Sequence, residues 1–152
     1  MADADDTRDG SRERPDSRHQ RPTGVDDTTV AAVGKLSEAL ETVERARGHL
    51  YSFHQLTGAA DLELGEAVDL LREAGHHELA DALDIDLVGR NVLPGRWTFQ
   101  IIEEYDDGYH ATFTALEQRA RDELLDGRRH VFESEMKEDR RTPERRGHEA
   151  RP

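Results

Sequence analysis

Two polar runs hold the residue types from which a site could be built. The first is Glu44, Arg47, Tyr51 and His54, spaced E-x2-R-x3-Y-x2-H; the second is "IIEEYDDGYH", residues 101–110, with four carboxylates, two tyrosines and a histidine. Projected at about 100° per residue, Ile102, Tyr105, Tyr109, Phe113, Leu116, Ala120 and Leu124 form the apolar stripe of a long helix. On that projection Glu104 and Asp107 face water. Asp106 falls beside the stripe, with Glu103 and His110 one turn to either side of it. The first run lies on the same side of its own helix as Leu36 and Leu40, where core residues belong. A charge in that position is costly unless paired, so the two runs are expected to meet between the first helix and the last.

Three chemistries fit such a meeting. The first is a polar network that fixes helix register, with Arg47 pairing Asp106 or Glu103 and with His54 or His110 pairing a carboxylate. The alternative is a metal site for iron, manganese or zinc, because carboxylates and imidazoles on facing helices are the ligand set of ferritin-like bundles. Its ligands would be Glu44, His54, Glu103, Asp106 and His110. That likeness is architectural only. The Glu-x-x-His pair of di-iron bundles lacks a proper helical setting here, since Glu73-x-x-His76 straddles Gly75, and Arg47 would repel a cation. The third is a His–carboxylate proton shuttle. No nucleophile motif, phosphate-binding glycine loop or dinucleotide fingerprint accompanies it, so no enzymatic activity is expected.

The elements that must position these residues are helical. The first helix is expected to begin near Asp27 or Thr28, where an Asp/Thr cluster can cap it, and its stripe is Val33, Leu36, Leu40, Val43 and Leu50. Gly58 is expected to end it, and Gly34 to weaken its first turn by about 1 kcal/mol relative to alanine. A second helix is expected over 61–74 and a third over 76–88, separated by Gly75; Pro94 and Gly95 then make a turn. The fourth helix starts after a short extended entry at "WTFQII" and is expected to continue through Gly127 to about Met136. The predicted fold is all-α: an antiparallel bundle of three rods built from four helices, the middle rod broken at Gly75. Residues 1–26 read as a disordered leader, 27–127 as the bundle domain, and 128–152 as a helical extension with a disordered Arg-rich tail after it.

Composition limits the partners. Hydrophobic residues make up 34% of the chain and charged residues 36%, so the core must be slim and would gain from pairing with a second copy. The net charge is −13, and residues 28–127 hold twenty acids against eight bases. Such a body repels nucleic acid and anionic membranes. There is no cysteine, which excludes disulfides and thiolate chemistry, and no apolar run approaches a membrane span. A cytoplasmic location is expected. Trp97, the only tryptophan, is expected to plug the bundle end or else to anchor a partner. Arg140, Arg141, Arg145 and Arg146 form a tail that could touch nucleic acid or an acidic partner. Together these features predict a non-enzymatic helical accessory or interaction protein, homodimeric or paired with another protein, and without a cofactor.

Overall fold

The computed structural model describes residues 13–152. Among them the chain is all-α: helices α1 (Asp27–Glu73), α2 (His77–Asp86), α3 (Thr98–Tyr105), α4 (Ala111–Leu125) and α5 (Val131–Arg140), with a π-helical turn, Asp106–His110, joining α3 to α4. The only bridge between extended residues among them, Leu93 with Arg96, closes the Pro94–Gly95 turn. No helix is long and apolar enough to cross a membrane among the described residues.

The Asp26 side chain opens α1 by accepting the Thr29 N–H at 2.6 Å, the capping geometry that an Asp/Thr cluster favours. The expected stop at Gly58 is not there. The helix runs unbroken through Gly58 for 47 residues, so two expected helices are one. A glycine inside a helix costs only about 1 kcal/mol, less than abandoning a turn of backbone hydrogen bonds when no proline or alternative cap is at hand. At Gly75 the outcome differs. Its φ is +85°, and the Gly75 and His76 N–H groups donate to the Arg72 and Leu71 carbonyls at 3.0 and 2.8 Å, which is the Schellman termination that a left-handed residue permits. Arg72 then holds α2 by pairing Asp81 and Asp84 at 3.2 and 2.9 Å.

The expected course of the last helix also needs correction. It ends at Leu125, because Asp126 and Gly127 both take left-handed backbone, and α5 starts separately after His130. The extended entry at "WTFQII" shrinks to Trp97 alone. Its N–H donates to the Gln100 side chain at 2.9 Å while Gln100 N–H donates back to the Trp97 carbonyl, so α3 is capped from its own first turn.

The fold divides into two compact units, the residues up to Leu40 with Phe113–Pro152, and Glu41–Thr112. In the first, Val30, Val33, Leu125 and Val131 form the buried cluster and Val25 packs on it. For residues 13–26 and the C-terminal segment the expectation of disorder does not include the pairs that tie them together. Arg21 pairs Glu135 through two 2.8 Å hydrogen bonds, and the Arg128 guanidinium donates to the Gln20 carbonyl at 2.8 Å. Arg141, 4% exposed in its side chain, pairs Glu138 and Glu13. Arginines of the C-terminal segment thus find acceptors on the N-terminal one, so each polar stretch orders the other. The share of the expected leader that falls on residues 1–12 lies outside the described residues. In the second unit Val68, Ala80 and Ile102 are the buried apolar residues.

Candidate functional site

The second unit brings most of the two polar runs together. The Arg47 guanidinium grips the Asp106 carboxylate through two hydrogen bonds, Nε at 2.6 Å and Nη2 at 2.9 Å, the bidentate geometry that makes such pairs strong. Its third nitrogen is 4.0 Å from Glu44, and its plane lies over the Tyr51 ring at 5.2 Å. Glu44 in turn hydrogen-bonds His110 Nε2, and the His110 ring stacks on Tyr105, centroids 6.4 Å apart. Two residues of the sequence-predicted set stand elsewhere. His54 Nδ1 shares a 2.6 Å hydrogen bond with Thr98 Oγ1 and so ties α1 to the first residue of α3. Glu103 is exposed. Among the described residues no three His, Asp or Glu side chains are grouped to hold a metal ion.

Asp106 and His110 are the first and last residues of the π turn. Its wider coil, with the Ala111 N–H reaching back to the Asp106 carbonyl, inserts about one residue relative to a regular helix. The buried positions after it depart in part from the straight projection, although Phe113 and Ala120 stay half-buried as expected. Tyr109, Leu116 and Leu124, expected inside, are 58%, 55% and 45% exposed, while Glu117 and Leu125 are buried. Sequence reasoning missed Glu117 for this reason. Its carboxylate accepts from Ser37 Oγ at 2.8 Å and Arg121 Nε at 2.9 Å, inside the first unit. The only trace in the sequence was the four-residue spacing of Glu117 and Arg121.

The electrostatics are set by these contacts. The hydrogen bond from Arg47 holds the Asp106 carboxyl below the usual range, against the opposing effect of desolvation; Arg47 itself is raised by the same bond. A depressed folded-state value means the pair contributes stability above the unfolded carboxyl pKa, about 3.9, and loses it as pH falls through the folded value. Asp106→Asn should therefore flatten the acid limb of a urea-midpoint profile below about pH 4; a limb unchanged in the variant would show that this pair is idle.

Beside the network lies a groove of about 810 Å³, also within the second unit, with Trp97, Phe99, Leu87, Val92 and Leu64 in its lining. The Trp97 and Phe99 rings lie 5.3 Å apart, tilted by 33°, and the residues are 60% and 42% exposed, so Trp97 does not plug an end. The groove floor is fixed by polar ties. Asp61 accepts the Gly89 N–H at 2.8 Å, and the His54–Thr98 bond anchors the start of α3. Of the four tail arginines, Arg140, Arg145 and Arg146 are exposed, whereas Arg141 is committed to its ion pairs and is not available to a partner. Compared with family models, curated proteins and solved structures, the chain matches none.

Proposed function

We propose that this chain is a cytoplasmic, non-enzymatic interaction module that docks a protein segment in the groove of its second unit. The carrying observation is the uncovered apolar wall: Trp97, Phe99, Leu87 and Val92 are each between 42% and 60% exposed. Aromatic residues held rigid around a concave site are the usual anchors of protein docking. In this reading the Arg47–Asp106 and Glu44–His110 contacts are not a reaction centre. They hold α3 against α1, and thereby hold the wall that Trp97 and Phe99 supply. Self-association is a second reading, favoured by Leu62 and Ile85, 74% and 81% exposed and outside the groove lining.

If the wall serves docking and not folding, Leu87→Glu and Val92→Glu should leave the melting temperature within a few degrees, as surface changes do. The same variants should lose the binding of an apolar fluorescent dye that the wild type shows. A melting temperature lowered by about 10 °C or more, or a wild type that binds no dye, would sink the reading. Light scattering on these samples addresses the second one, which a mass of 17.2 kDa at all concentrations would remove.

A further inference from the structure

We infer that the occupant of the groove is a basic amphipathic helix of another protein, a step that rests on reading the groove as a docking surface. Three observations carry it. First, the volume and lining suit a row of apolar side chains: 810 Å³ is within the roughly 300–1,000 Å³ of sites that enclose a ligand. A helix presents such a row at positions i, i+3, i+4 and i+7.

Second, the groove offers no edge to an extended peptide. Between α2 and α3 the backbone makes one isolated bridge, Leu93 with Arg96, and no strand exists among the described residues. The Gly89 N–H is already taken by Asp61. A helix satisfies its own backbone and needs only the apolar contact.

Third, the charge selects the polar face of the partner. The second unit, residues 41–112, holds fifteen acids and five bases, a net charge of −10. Three of those bases are spent inside the unit, Arg47 on Asp106, Arg72 on Asp81 and Asp84, and Arg96 on Glu104; in the groove lining Arg90 balances Asp61, so the attraction comes from the carboxylates around the groove and not from its wall. A second copy would bring −10 against −10. A helix whose polar face carries Lys and Arg is drawn in by the same field and speeded in its approach.

The sole tryptophan, Trp97, stands in the groove wall and reports occupancy directly. The probes are an amphipathic leucine/lysine peptide of about 20 residues, long enough to form a helix, a leucine/glutamate peptide with the same apolar face, and a scrambled leucine/lysine peptide with no face. Titration of the leucine/lysine peptide into the full chain should shift Trp97 emission to shorter wavelength and saturate. Affinity should fall about tenfold or more for the glutamate peptide, and also when salt is raised from about 0.05 M to 0.5 M. Val92→Glu should weaken the lysine peptide although it adds an attractive charge, because it removes apolar contact.

Equal binding of the glutamate peptide would overturn the charge selection and leave the groove standing. A Trp97 shift that tracks the chain's own concentration, with a dimeric mass by light scattering, would give the groove to a second copy and overturn the inference alone. Binding that the scrambled peptide matches, or that Val92→Glu leaves intact, would show adsorption to an acidic surface and overturn it as well. If neither peptides nor self-association move Trp97, the inference and the docking function both fail.

Discussion

Arg121→Ala is expected to lower stability by about 3–5 kcal/mol at neutral pH, the cost of stripping its partner from a buried carboxylate. Glu117 and Arg121 are 7% and 11% exposed in their side chains and 2.9 Å apart, and Ser37 Oγ donates to the same carboxylate. In the wild type, burial pushes the Glu117 carboxyl up, but the hydrogen bonds from Arg121 and Ser37 and the nearby guanidinium charges outweigh it, so the net shift is downward. The pair therefore stabilises the fold above the ordinary glutamate value, about 4.3, and the contribution is lost as pH falls through the folded value.

Removing Arg121 reverses that sign. Burial then meets much weaker opposition, chiefly from Ser37, the Glu117 pKa rises, and the variant recovers stability as pH falls through the raised value. Its deficit against the wild type should be greatest at neutral pH and should narrow on acidification, measured by urea unfolding at several pH values. Adding Glu117→Gln to Arg121→Ala should restore much of the loss, since a neutral amide carries no charge to desolvate. A loss under about 1 kcal/mol that does not vary with pH would show that water, and not Arg121, solvates this carboxylate.

The second large effect is at Gly34, where the helix-propensity expectation changes sign. A Cβ built there meets Phe132 Cβ at 2.7 Å and Cγ at 2.8 Å. These atoms sit next to the α5 backbone and cannot swing away. Gly34→Ala should destabilise by about 1–3 kcal/mol, as overpacking does, and Gly34→Leu by more. Gly48, Gly58 and Gly65 supply the internal comparison: all lie in α1, and a Cβ at any of them meets nothing within 4 Å. Each should gain about 0.5–1 kcal/mol on substitution by alanine. Equal behaviour of all four glycines in urea unfolding would refute the close approach of α5 to α1.

Much of the helical content was legible in the sequence. The Asp/Thr cap at 26–29, the Gly75 termination and the Pro94–Gly95 turn are local devices, and local devices are written in neighbouring residues. The pairing of Arg47 with Asp106 was also foreseeable, because charges placed where apolar residues belong must find each other. The failures share a different cause. Gly58 and Gly75 differ in the chain beyond them: Gly75 leads into a short helix pinned back by Arg72, while Gly58 leads into more of the same helix. The ends read as disordered because their hydrophobicity is low, yet Arg21, Arg128 and Arg141 find acceptors more than a hundred residues away in the chain.

The sequence by itself determined the residue inventory, the helix caps and the two polar runs that had to be neutralised. The tertiary structure decided which face of the last helices turns inward. A projection at a constant angle per residue cannot anticipate a π turn, whose extra residue is accommodated when Asp106 and His110 reach Arg47 and Glu44 on α1. Beyond it Glu117 is buried instead of Leu116 and Leu125 instead of Leu124, while Phe113 and Ala120 keep the half-buried places the projection gave them. The physical reason is that helix phase accumulates: a single wide turn, fixed by contacts distant in sequence, shifts the phase of the helix that follows it.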